Sequence, residues 1–556
     1  MEKMAIENSI KTHKRNSSSK YSDISIDTQD DDNGKSSQYK QELHRGLNSF
    51  MSFSISFTNV ACISSLAMMI DFGLVTGGPV IMLYGWITVS IFTMIVASSM
   101  AEICSTYPVA GSVYYWAGAL ASPEWAPVAS YLCGWFNFFG NIANNASFSF
   151  GLSKVLAGLV VLFNEGRYVW SIQTQVFVSI IILAMWGIKN RMRIDNQGWF
   201  NNTSALYQLI STIFVVFVIF LVSPKLSSSE FVFTKFNNDT GFSNVYFVSV
   251  LGLLMSMYGF SGYEGGAHLA EETTNANVSA PQGIIYSCLL SVFTGVIFIL
   301  AVLYGCQENI HAIVQGNSDH AAVNLFEMVF SGNKNLSLIM TMILMLNIFL
   351  AGFSNLTVTS RIGFAMARDG AFPYSDQLKK INKDTKSPDM MILLIFILAS
   401  CLCLLPLISS TAFEAITSIA TIGVQLSYAI PIFFRVTQSR DTFKRNHYNL
   451  GSWSTMYGWI SVIWLSFTSC CLLLPSKRHP TDGITAENFN YSPIVVCLFL
   501  VFAAIYWNLP EPFGAKYFFK GPKRVISQED NEESYRTFDQ QRLKEVKHKK
   551  NYSDIV

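Results

Sequence analysis

Between residues 50 and 508 the chain alternates long apolar runs with short polar intervals. Stretches such as GPVIMLYGWITVSIFTMIVASSMA (78–101), LIMTMILMLNIFLAGF (338–353) and MMILLIFILASCLCLLPLI (390–408) are almost free of charge. Most runs reach the ~20 residues a helix needs to cross a bilayer. The pattern predicts an all-α integral membrane protein with about twelve transmembrane helices. They fall near 50–73, 78–102, 127–160, 172–188, 204–223, 244–270, 283–304, 335–360, 389–408, 412–435, 454–475 and 491–508. The third run is too long for one straight crossing, so part of it is expected to tilt or lie at the interface. YPVAGSVYYWAGALAS (107–122) reads as an amphipathic segment along the membrane, with Tyr114, Tyr115 and Trp116 at headgroup level. The expected division is a disordered tail over 1–45, a transmembrane domain over 46–510 and a second tail over 511–556.

Basic residues orient the bundle. The intervals after the fourth, eighth and tenth runs hold Lys189, Arg191, Arg193, then Arg361, Arg368, Lys379, Lys380, then Arg435, Arg440, Lys444, Arg445. The opposite intervals hold only scattered cations such as Arg167, Lys225 and Lys477. The richer side is expected to be cytoplasmic, and an even number of crossings puts both tails there. Composition agrees with a lipid-embedded chain: 51% hydrophobic and only 13% charged, where a soluble domain carries about a quarter. A net charge of +1 argues against a nucleic-acid partner. The ten cysteines form no CxxC pair and lie mostly within or at the ends of runs, so they read as buried thiols rather than zinc ligands or disulfides. The expected location is the plasma membrane or an internal membrane (vacuolar, mitochondrial or Golgi).

Two runs break the pattern. The sixth contains SMYGFSGYEGGAHLAEE (256–272), in which four glycines crowd around Glu264. The first carries Ser64 and Ser65 near its middle, then Asp71 and Gly73. Interruptions at corresponding places in two halves are the sequence mark of an inverted-repeat transporter. Unpaired backbone groups survive at mid-membrane only beside a polar cavity, where helix ends supply N–H donors and carbonyls. Glu264 is therefore expected to face that cavity and to support the break or take a coupling proton. His268 with Glu271 and Glu272 suggests a metal, but no other histidine lies in a neighbouring run; a capped, solvated helix end is expected, with no metal and no cofactor. In the third run Asn137, Asn141 and Asn144/Asn145 share a face, serving equally well as helix glue or cavity lining.

Several blocks together resemble a known family: GGPVIMLYGW (77–86), MAEICSTYPVAGSVYYWAGALASPEWAPVASYLCGWFN (100–137), GYEGGAHLAEETTNANVSAPQGI (262–284), SRIGFAMARDGAFP (360–373) and AFEAITSIATIGVQLSYAIPIFFRVT (412–437). The chain resembles the amino acid/choline transporter family of the amino acid–polyamine–organocation superfamily, which includes fungal GABA and choline permeases and the plant bidirectional amino acid transporter. The resemblance implies a five-plus-five inverted-repeat core with two added helices and alternating access. It places the unwound part of the first run on Ile63, Ser64, Ser65 and Leu66, whose amides would bind a substrate carboxylate. It places that of the sixth run on Tyr258, Gly259, Phe260, Ser261 and Gly262 up to Glu264, with Tyr258 as an aromatic gate and Ser261 lining the pocket. Asn137 and Asn141 are added to the substrate site from their shared face. The Gly-Ser-Gly of many superfamily members is absent from the first run, and the fifth run has no lysine to replace a sodium ion. The expected function is secondary transport of amino acids or close amine derivatives such as GABA, with a choline or polyamine permease as the alternative. A receptor of seven helices fails on span count, and no catalytic constellation speaks for a membrane enzyme.

Overall fold

The computed structural model describes residues 46–522 apart from 193, 332, 410, 479–482, 484, 486–488, 511–513 and 520. The expected tail over 1–45, and the C-terminal tail beyond 522, lie outside the described residues. Among the described residues nine helices are long and apolar enough to cross a membrane, and Val245–Tyr258 and Ser492–Asn508 are shorter apolar helices. With Ser454–Cys471, all twelve expected runs are helical.

The first run is three helices in line, α1 (Ser49–Val60), α2 (Cys62–Met68) and α3 (Ile70–Val75). It is followed by α4 (Gly78–Thr106), α5 (Ser112–Leu120), α6 (Ala126–Phe163), α7 (Ile172–Lys189) and α8 (Ile194–Val222). The second half comprises α9 (Val245–Tyr258), a 3-10 helix (Gly265–Glu272), α10 (Ala276–Gly305), α11 (Lys334–Arg368), α12 (Asp389–Leu402) and α13 (Ala412–Val436); α14 (Ser454–Cys471) and α15 (Ser492–Asn508) complete the bundle. Local chemistry sets several starts. Asn48, Ser171, Asn244 and Asn333 each accept a first-turn N–H from their own helix, and Pro79 and Pro127 stand where a missing N–H costs nothing.

The third run is one helix, α6, of 38 residues, roughly 57 Å at the standard rise, longer than a straight crossing needs. One expectation is corrected here. Tyr114, Tyr115 and Trp116 of α5 do not turn outward to headgroups but are buried in protein. The Tyr114 hydroxyl donates to Asp369, and Trp116 Nε1 donates to the Tyr107 carbonyl.

Helices α1, α2, α6 and α13 are the most enclosed, whereas α12, α7 and α8 turn much of their surface outward. Phe177, Ile181, Met185 and Ile188 form an exposed apolar stripe at helical spacing on α7, as a lipid-facing helix requires. The packing repeats between halves. The first run lies against the sixth, α4 against α10, α6 against α11, and α7 against α12. Likewise α6 packs on α13 as α11 packs on α8. Each helix of the first five thus meets its counterpart five crossings later, or repeats its contacts, which is the arrangement of an inverted repeat.

Two small backbone pairings went unanticipated. Strand β1 (Thr76–Gly77) runs antiparallel to β2 (Asn237–Asn238), Thr76 opposite Asn238. At the other end Leu47 bridges Thr273 in parallel: Leu47 N donates to the Glu272 carbonyl at 3.0 Å, and Thr274 N to the Leu47 carbonyl at 2.9 Å.

Candidate functional site

The first interruption sits at Ala61, which adopts the left-handed conformation with φ 45° and ψ 48°. That conformation costs an L-residue about 1–2 kcal/mol, and such strain gathers where a site needs it. Ile63, Ser64, Ser65 and Leu66, expected to be unwound, are instead helical within α2. The backbone is irregular on either side of them, at Ala61 and again at Met69. Ser65 marks the early restart. Ser65 N donates to the Ala61 carbonyl at 2.9 Å and Ser65 Oγ to that of Val60 at 3.3 Å, satisfying carbonyls the break would strand. As the first turn of a new helix, Cys62, Ile63 and Ser64 present N–H groups without helical partners. All four expected residues are buried, and Ser64 Oγ has no hydrogen-bond partner among the described residues.

The sixth run breaks where expected. Helix α9 ends at Tyr258 and the chain descends through turns: Gly259 N to Met255 O, Phe260 N to Met257 O, and Ser261 N to Tyr258 O. Ser261 Oγ adds a bond to the Met257 carbonyl at 3.4 Å. Gly262 has φ 87°, and a Cβ there would collide with the Asn59 carboxamide, so the position needs glycine on two counts. The Asn59 amide fills that space, donating to the Gly262 carbonyl at 2.7 Å. Ser56 Oγ accepts from Gly266 N at 2.8 Å. The two breaks are therefore stitched directly together. Gly259 lies under Trp86, whose ring a Cβ would approach to 2.8 Å, while Phe260 stacks on the same indole with centroids 4.3 Å apart. The Tyr258 hydroxyl donates to Ser147 Oγ of α6 at 2.8 Å.

Glu264 follows the break and is fully buried. Its Oε2 accepts a short hydrogen bond from the Tyr428 hydroxyl of α13. Its Oε1 lies 3.5 Å from Asn137 Nδ2 and 3.8 Å from His268 Nε2. Asn137 also donates to Ser427 Oγ at 2.9 Å, so one asparagine links the acid to both α6 and α13. Asn141 does not reach the acid: its amide donates to the Asn137 carbonyl, and its own carbonyl accepts from Asn355. Asn145 donates to Thr359 Oγ1 at 2.9 Å. The asparagine face thus divides, Asn137 serving the acid while Asn141 and Asn145 fasten α6 to α11. A narrow crevice beside the break, bordered by Ser261, Tyr263, Gln425 and Tyr428, runs between α4, α13 and α14.

The end of the 3-10 helix is not solvated as expected. Glu272 and Arg361 are each 1% exposed and paired at 3.1 Å. Arg368 forms a fork with Glu271, its two nitrogens at 3.0 and 3.2 Å, and Glu271 also accepts from Ala110 N at 3.2 Å. Opposite charges supplied by α11 replace the water a free helix end would have used. Sequence reasoning also missed Asn59 and Ser56. Their one signal was polar side chains in the SFTNV stretch (56–60), just ahead of Ala61.

Comparison with known proteins agrees with this architecture. A family profile described as amino acid permease matches residues 47–500. The amino-acid permease BAT1 of Arabidopsis thaliana is 36% identical over 495 residues, 87% of this chain and 94% of that protein. Its homolog in Oryza sativa subsp. japonica is 33% identical over the same shares. The GABA-specific permease of Saccharomyces cerevisiae is 26% identical over 513 residues, 89% of this chain and 86% of that protein. With a profile match spanning nearly the whole bundle and relatives matched along most of their length, the chain belongs to the amino acid permease family.

Proposed function

We propose that the protein is a secondary transporter carrying amino acids, or close amine derivatives such as GABA, across a membrane by alternating access, and is neither an enzyme nor a receptor. The observation that supports this best is the pair of helix breaks joined by the Asn59–Gly262 hydrogen bond. On one side the first turn of α2 offers the amides of Cys62, Ile63 and Ser64 with the positive end of a helix dipole. On the other, Glu264 offers a buried carboxyl group. A zwitterion supplies the complement to both: its carboxylate sits on the α2 amides and its ammonium turns toward Glu264. Tyr258 and Ser261 then bound the substrate laterally. The ion pairs of Glu271 and Glu272 with Arg368 and Arg361 close the arginine-rich end, which charge bias makes cytoplasmic together with both tails. Relatives named amino-acid and GABA-specific permeases favour the same substrate class.

A second reading has one observation behind it. The Tyr263 and Tyr428 rings, 5.1 Å apart, flank Glu264, and aromatic faces beside an acid suit a quaternary amine such as choline. Competition separates the two. Unlabelled GABA and neutral amino acids should block uptake of a labelled amino acid into vesicles containing the protein. If choline or spermidine competes and no amino acid does, the zwitterion reading is wrong.

A further inference from the structure

The substrate reading uses Glu264 and leaves the imidazole beside it without a task. His268 is fully buried and lies one turn beyond Glu264 on the 3-10 helix. Its Nε2 is 3.8 Å from Glu264 Oε1, and neither ring nitrogen has a hydrogen-bond partner among the described residues. An imidazole always carries at least one N–H, and burying it unpaired forfeits its hydration. A feature that costs stability and fills no structural need calls for a functional account.

The groups nearest this couple are two tyrosines, a thiol and a carboxamide. Tyr263 stands on the same segment, α10 brings Cys288 within electrostatic reach of Glu264, and α13 brings Tyr428. From α6 comes the neutral Asn137. Helix α1 holds no ionisable side chain. Arg361 and Arg368 of α11 are engaged by Glu272 and Glu271 at the end of the 3-10 helix. From α5, Tyr114 is bound to Asp369.

We infer that His268 receives the Glu264 proton when substrate binds, so that proton and amino acid are carried together. The inference rests on the zwitterion reading and adds the coupling ion. Open to the outside and empty, the site takes up one proton from water, which forms an O–H bond on the Glu264 carboxylate. An arriving ammonium needs the ionised carboxylate, so the Glu264 O–H bond must break. With no second base, that proton would leave to water, and substrate would exchange against it. With His268 Nε2 adjacent, a new N–H bond forms there instead. The imidazolium, the carboxylate and the zwitterion then sit together, carrying one net positive charge per cycle. On release the ammonium departs and the proton leaves from His268, which lies between Glu264 and the arginine-rich end; the empty carrier then returns without the proton, its Glu264 carboxylate held by Tyr428 and Asn137.

The test uses the full-length protein in proteoliposomes with radiolabelled alanine and GABA. Counterflow at equal pH reads substrate exchange, and net uptake under an imposed inward proton gradient reads coupling. For one proton per substrate, a gradient of one pH unit supports about tenfold accumulation. Wild type should reach it, with alkalinisation outside. His268→Gln should keep counterflow within about twofold and lose the accumulation, its gradient-driven level falling to that without a gradient. Accumulation by His268→Gln equal to wild type overturns the inference, as does wild-type uptake indifferent to the gradient while counterflow persists. Loss of counterflow in both His268→Gln and His268→Asn, in protein that still purifies folded, overturns it too, because exchange needs no proton carrier. Absence of wild-type counterflow with every amino acid tried is a different result: it removes the zwitterion reading itself.

Discussion

Replacing Arg361 with methionine should unlock the arginine-rich end. Arg361 Nε lies 3.1 Å from Glu272 Oε1, with both side chains 1% exposed. At an effective dielectric near 20 that separation corresponds to about 5 kcal/mol. Removing one member of a buried pair costs about 3–5 kcal/mol, because the other charge is left in an apolar setting; the same pair at the surface would contribute less than about 1 kcal/mol. The pair joins the helix after the sixth-run break to α11, so the loss falls on the closed arrangement. The closed-to-open ratio should drop by roughly two to four powers of ten. The assay is thiol labelling of Ser64→Cys, in a background without the ten native cysteines, by an impermeant reagent added from the arginine-rich side. Arg361→Met should speed labelling by orders of magnitude. Adding Glu272→Met should slow it again, since an apolar pair of similar volume replaces an ion pair at little cost. If Arg361→Met labels at the parent rate, or the double variant labels as fast as the single, the pair does not hold the gate.

Gly262→Ala combines a left-handed φ with a collision against Asn59 and should abolish uptake, whereas Gly283→Ala, whose Cβ would meet nothing nearer than 3.6 Å, should leave it intact. Gly252→Ala should impair uptake too, because a Cβ there runs into the Thr76 carbonyl oxygen. Tyr258→Phe removes a buried bond to Ser147 Oγ and should weaken apparent substrate affinity about fivefold, for about 1 kcal/mol; unchanged KM in vesicle uptake would deny Tyr258 a gating role. His320, buried before the short helix Ala321–Val329, has its imidazole pushed down to about 3 by burial, with the Lys154 charge adding to the effect. The unfolded chain then binds the proton that the folded chain refuses, so stability is full above about pH 6.5 and falls as pH drops, by about 2 kcal/mol at pH 5. Melting in detergent should be acid-sensitive in wild type and less so in His320→Gln; parallel melting curves across pH would contradict this.

The crossings could be read from the sequence because hydrocarbon leaves a helix no substitute for some twenty apolar residues. The sixth-run break was legible for a similar reason, since Gly262 occupies a backbone angle other residues avoid. Ala61 holds a left-handed angle too, with no compositional trace, so nothing in the sequence separates it from Ile63–Leu66, where the family resemblance puts the break. The acids at the end of the 3-10 helix looked solvated because their arginines stand 89 and 97 residues away, beyond any local pattern. Helix α5 misled differently: an apolar face with tyrosines fits a membrane surface or a protein interior equally well, and only packing on α6 and α13 decides. Among the asparagines, shared spacing could not separate Asn137, which reaches an acid on another run, from Asn141, which bonds to its own helix.

The two backbone pairings, β1 with β2 at one extremity and Leu47 with Thr273 at the other, have a mechanical consequence. They pin the first run to the sixth above and below, like two rods clamped in one frame. Clamped rods do not splay; they swing as a unit. The gap between Ala61 and Gly262 should therefore stay nearly constant while the passage opens and closes, so a bound molecule rides in a carriage of fixed width. Sliding is confined to the seams where this frame meets α6 and α11. Cutting either clamp would let the carriage widen and turn a tightly coupled carrier into a leak.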